Sequence, residues 1–110
     1  MRKIPLTKTK KKFKVDFKQT ANMALSNADY IVTSLLPNGK REGREWVAFN
    51  PKRPDQTLGS FKINLGTGKW ADFATLDRGS DLISLVAYLK DTTQYQAAKY
   101  LAEVLGGGVC

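Results

Sequence analysis

Between Ser60 and Phe73, polar and apolar residues alternate twice around a glycine-bearing turn, and that pattern leaves the chain few folds to choose from. Ser60-Phe61-Lys62-Ile63-Asn64-Leu65 reads as one strand, Gly66-Thr67-Gly68-Lys69 as the turn, and Trp70-Ala71-Asp72-Phe73 as the returning strand. Side chains alternate across a strand, so Phe61, Ile63 and Leu65 share one face while Lys62 and Asn64 take the other. Asp72 reads as an outward residue of this hairpin, and Trp46-Val47-Ala48-Phe49 as a further strand before it.

A hairpin needs a cover, and the flanks provide helical patterns. Phe17, Ala21, Leu25, Ala28, Ile31, Val32, Leu35 and Leu36 recur at three- and four-residue spacing. Asp16 is the expected N-cap of this helix, and Pro37-Asn38-Gly39 its stop. Leu82 to Lys90 is apolar nearly all round, the mark of a buried helix, with Ser80 or Asp81 as its cap. Thr93-Gln94-Tyr95-Gln96 opens a last helix that turns Ala97, Ala98, Leu101, Val104 and Leu105 inward and ends at Gly106. Lys40-Arg41-Glu42-Gly43-Arg44-Glu45 is short and charged. Asn50-Pro51-Lys52-Arg53-Pro54-Asp55 and Thr75-Leu76-Asp77-Arg78-Gly79 read as loops, the first because two prolines forbid helix and central strand alike. The expectation is an α+β domain: a small antiparallel sheet flanked by one N-terminal helix and two C-terminal helices. At 110 residues the chain has the length of one domain. We divide it into a basic arm at 1–15, a single domain at 16–106 and a short end at 107–110.

Residue usage excludes several chemistries. The sequence has no histidine, and its one cysteine is Cys110. A zinc site of Cys and His ligands, an intrachain disulfide, and Ser-His-Asp or Cys-His catalysis therefore have no residues to use. Asp77 and Asp81 are near enough in sequence to suggest a carboxylate Mg²⁺ site, but Asp81 as a helix cap is the stronger reading. Gly66-Thr67-Gly68-Lys69 lacks the length and following Ser/Thr of a phosphate-binding loop. The expectation is a non-enzyme without cofactor or metal. No apolar run is long enough to span a bilayer, and the basic start leads into more lysines instead of a secretory signal, which points to the cytoplasm.

The net charge of +8 is unevenly spread. Residues 1–18 carry eight bases against Asp16 alone, whereas the remainder carries ten bases and nine acids. A basic arm on a nearly neutral body suggests a polyanionic partner, with a solvated leader as the bland alternative. Lys10, Lys11 and Lys12 are the arm's candidate contacts. On the body, Lys62 and Asn64 stand on the presumed outward face of the hairpin, with Ser60 at its start and Lys69 at its tip. Asn50, Lys52, Arg53 and Arg78 lie on the two loops. Trp46 and Trp70 flank this surface; each is either a base-stacking platform or a core residue with its N–H on a protein acceptor.

Asn50-Pro51-Lys52-Arg53-Pro54-Asp55, Gly59 to Leu65, Thr67 to Phe73 and Ser80 to Leu89 together resemble the N-terminal zinc-ribbon domain of bacterial and phage DNA primases. More narrowly, they resemble a zinc-less version at the front of primase-helicase proteins of phages, plasmids and integrated elements. The likeness spans roughly residues 16–106. It implies binding of single-stranded or template DNA in replication of a mobile element, beside a primase or helicase catalytic domain or subunit. The alternative is a protein-interaction module that docks such a partner without touching DNA. The family's four zinc-ligand positions fall near Val47, Asn50, Asp72 and Thr75, none of them a thiolate or imidazole.

Overall fold

Side-chain caps and a period-two strand pattern fix most element boundaries in this computed structural model, which describes residues 15–53 and 58–105. The expected arm with Lys10, Lys11 and Lys12, the residues Pro54 and Asp55, and the end from Gly106 onward lie outside the described residues. Asp16 caps α1 (Phe17–Ser26) by accepting the Gln19 N–H at 3.0 Å. Asp81 caps α3 (Leu82–Lys90) in a reciprocal box with Ser84, and Thr93 caps α4 (Gln94–Val104) by accepting the Gln96 N–H.

The single helix expected from Phe17 to Leu36 is instead two, α1 and α2 (Ala28–Leu35), parted at Asn27. The Asn27 backbone leaves helical geometry, and its side-chain amide donates to the Met23 carbonyl at 2.9 Å. A short amide that bonds backbone locally competes with helix propagation. Ala24 before the break and Ala28, Ile31 and Val32 after it all belong to the core.

Five antiparallel strands follow in the order β1-β2-β3-β4-β5: Lys40–Glu42, Glu45–Ala48, Phe61–Asn64, Trp70–Asp72 and Asp77–Gly79. The hairpin β3–β4 has the expected phase, with Phe61 and Ile63 fully buried and Lys62 and Asn64 partly exposed. Two strands were not expected. The charged segment 40–42 forms the edge strand β1, and the supposed loop at Asp77 forms β5 by pairing with Trp70–Asp72. Neither has strand-forming residues; neighbouring backbone, not propensity, puts them in the sheet.

One core results. Phe61, Ile63 and Trp70 on the inner face of the sheet meet Leu82, Ile83, Leu85 and Val86 of α3, Ala97, Ala98 and Leu101 of α4, and Ala24, Ile31 and Val32 of the first helices. Val104, expected inside, is 40% exposed. The fold is an α+β architecture with four helices and a five-stranded sheet among the described residues. No helix among them is long and apolar enough to cross a membrane.

Candidate nucleic-acid interface

Directly paired residues of antiparallel strands share a face, so the register defines two surfaces. The inner row runs Arg41, Trp46, Ile63, Trp70, Gly79. One rung away, the outer row runs Lys40, Val47, Lys62, Ala71, Arg78. Lys40 and Arg78 are exposed and Lys62 is partly exposed, so three strands put a cation on the face turned away from the helices. Val47, between Lys40 and Lys62, is buried. Beyond the ends of β2 and β4, alternation brings Phe49 and Phe73 to this same face, with Ser60 between them through the bond from the Phe73 N–H to the Ser60 carbonyl. Phe49 is 43% exposed and Phe73 is 64% exposed.

The tryptophans do not belong to that surface. Trp70 is buried edge-on to Phe61 and 4.8 Å from the Tyr88 ring, and its Nε1–H donates to Ser84 Oγ at 3.0 Å. Trp46 packs against the core, and its Nε1–H donates to the Leu36 carbonyl at 2.9 Å. Both indoles therefore follow the core reading: they face the helices with their N–H groups satisfied.

Asn50 and Asp72 are the other displaced residues, both fully buried. Asp72 shares the inner face with Phe61, its register partner. The sequence carried the signal: Asp72 lies two residues from Trp70, so an inward Trp70 takes Asp72 inward with it. The buried carboxylate is well satisfied. Asp72 Oδ2 accepts from Asn50 Nδ2 at 2.8 Å and Arg53 Nε at 2.9 Å, and Oδ1 accepts from the Ala74 N–H at 2.9 Å. Burial alone raises its pKa, but hydrogen bonds from Asn50, Ala74, Arg53 and Ser60 outweigh that and lower it from 3.8 to about 2. Asn50 Nδ2 also donates to the Tyr88 hydroxyl, which donates to Asp77 Oδ2, each at 2.8 Å. Burial raises the Tyr88 pKa; Asn50 opposes that rise and Asp77 adds to it.

The remaining candidates divide. Arg53 reaches inward, its Nη2 donating to Ser60 Oγ at 2.9 Å. Lys52 pairs with Asp91 and lies over the Tyr88 ring. Asn64 is spent on the turn, its Oδ1 accepting the N–H groups of Gly66 and Thr67. Lys69 is exposed at the tip. Of the proposed contacts, the fold thus brings Lys62 and Arg78 into one row, leaves Lys69 exposed at the hairpin tip, ties Lys52 to Asp91 and Tyr88, and turns Asn50, Trp46 and Trp70 away from that face. Sequence reading missed Lys40 and Phe49 as members of this face. Lys40 was hidden because β1 was not expected.

The zinc positions implied by the resemblance do not suit a metal. Val47 is buried aliphatic, Thr75 is exposed, and the touching pair Asn50 and Asp72 is engaged by Arg53. Among the described residues no group of three or more His, Cys, Asp or Glu could hold a metal ion. Asp77 and Asp81 are likewise occupied, by Tyr88 and by the α3 cap.

No protein-family model matches the chain, and no curated protein does. Among solved structures, the Aquifex aeolicus primase, comprising its zinc-binding and RNA polymerase domains, is similar with a TM-score of 0.68 and 22% identity. The match covers 84% of this chain but 22% of the primase chain. The protein therefore has a primase-like fold and spans a small fraction of the length of that primase structure.

Proposed function

We propose that this protein is a non-catalytic primase-type domain that binds single-stranded or template DNA on the open face of its sheet. The observation that carries this reading is the outer row of Lys40, Lys62 and Arg78, set beside exposed Phe49 and Phe73. Cations along a groove hold phosphates, and exposed aromatic rings stack on unpaired bases; together they are the usual means of gripping single strands. The lysine-rich arm adds sequence-independent attraction. The primase-like fold supports a replication setting; in this reading the domain sits beside a primase or helicase catalytic domain, in a phage, plasmid or other mobile element, in the cytoplasm. One observation favours the competing reading of a protein-docking module: Leu76, 78% exposed, follows closely after Phe73.

Salt separates the two. Fluorescence anisotropy with a labelled single-stranded oligonucleotide should show affinity falling steeply as salt rises, with a slope set by the number of phosphates neutralised. Absence of binding at low salt, with capture of a catalytic partner that resists salt, would replace DNA binding with docking.

A further inference from the structure

The primase that this fold resembles carries a zinc-binding domain, and the sequence resemblance places two of its four zinc-ligand positions near Asn50 and Asp72, which here are in direct contact with each other. Around them the chain has built a different junction. Arg53 donates through Nε to Asp72 on β4 and through Nη2 to Ser60 at the start of β3. Asn50, just past β2, spends both amide protons, on Asp72 and on Tyr88 of α3, while its Oδ1 accepts the Lys52 N–H. Tyr88 then reaches Asp77 on β5. The Arg53–Asp72 pair thus bonds directly to Asn50 and Ser60, and through Asn50 and Tyr88 the network extends to α3 and β5.

We propose that the Arg53–Asp72 pair, completed by Asn50 and Tyr88, is a metal-free clamp that takes the place of zinc in holding this end of the sheet together. Arg53 supplies the permanent positive charge, and its planar fork supplies direction that a lysine ammonium lacks. Asn50 shares Oδ2 with Arg53 and the Ala74 N–H donates to Oδ1, so neither oxygen of the buried carboxylate lacks a donor. This inference is independent of DNA binding. It concerns what keeps the binding face in shape.

Thermal unfolding of the full chain, followed by circular dichroism, tests it. Arg53→Lys and Asp72→Asn should each lower the midpoint by about 10 °C or more, as expected for breaking a buried pair in a domain of this size. The double variant should lose little beyond the worse single one, because both remove the same interaction. Lys52→Ala, which removes a surface pair from the same loop, should cost no more than about 3 °C. EDTA should leave the wild-type midpoint unchanged. If Asp72→Asn does not fold, Arg53→Lys against Lys52→Ala decides the matter alone. A midpoint lowered by EDTA, zinc bound at one equivalent in the purified protein, or Arg53→Lys no worse than Lys52→Ala would each overturn the clamp.

Discussion

The side-chain nitrogen of Asn50 donates to a carboxylate oxygen of Asp72 across 2.8 Å, joining residues 22 positions apart in the sequence. Neither residue has solvent-exposed surface. The contact lies on the inner side of the sheet, where Asp72 shares a face with Phe61. Polar groups at the inner end of the sheet bond to one another, whereas on the outer face Lys40 pairs with Glu42 and Lys62 and Arg78 reach solvent.

Acid should destabilise the protein through Asp72. Its folded pKa, about 2, lies below its ordinary value of 3.8, so its contribution is fully present above about pH 4 and disappears as pH falls toward 2. Urea titrations at pH 5 and pH 2.5 should show a drop in unfolding free energy that Asp72→Asn, already lacking the charge, shows much less. Equal drops in both proteins would place the acid sensitivity elsewhere.

Gly79→Ala should be disruptive although Gly79 is no turn glycine. A methyl group there would run into Ser84 Oγ and the Trp70 indole, the two partners of a partly buried hydrogen bond. We expect a loss of about 1–3 kcal/mol, the range for overpacking, with a change in tryptophan fluorescence. An unperturbed emission spectrum and melting curve would show that this seam has slack.

Charge reversal on the outer row should leave folding nearly intact. Lys62→Glu with Arg78→Glu changes side chains that reach solvent and leaves the neighbouring buried Val47 in place, so each stability cost should stay near 0.5 kcal/mol or below. Single-strand affinity should fall, and the salt slope should become shallower by about two units as two phosphate contacts go. Unchanged binding by the folded variant would move the interface to the arm or the hairpin tip.

The aromatic residues give an opposite pair of outcomes. Phe73→Ala should barely change the melting temperature yet weaken single-strand binding by about 1–3 kcal/mol if a base stacks on the ring. Trp70→Ala should cost about 3–5 kcal/mol of stability, because the indole is a buried core side chain. If Phe73→Ala bound DNA normally but failed to retain a protein partner, the docking reading would gain the face.

Removing residues 2–14 should spare the fold, since they show no apolar period, and weaken DNA binding most at low salt. Full affinity in about 50 mM salt, where phosphate contacts count most, would make the arm a passive leader.

The local pattern determined a great deal. Asp16, Asp81 and Thr93 cap helices because their side-chain oxygens reach backbone N–H groups only three residues ahead, a relationship internal to the sequence. The phase of Phe61 and Ile63 was legible for the same reason, since alternation in one strand needs no partner. Tertiary structure decided the rest. β5 exists because β4 offers its unpaired edge, not because Asp77-Arg78-Gly79 favours a strand. Trp46 and Trp70 became core residues because Leu36 and Ser84 supply acceptors from distant segments. Asp72 is tolerable inside only because Asn50, Arg53 and Ala74 surround it with donors, and two of these come from another loop. A charged side chain costs too much to bury unless such partners arrive together, and their arrival depends on contacts between segments that no local sequence pattern contains.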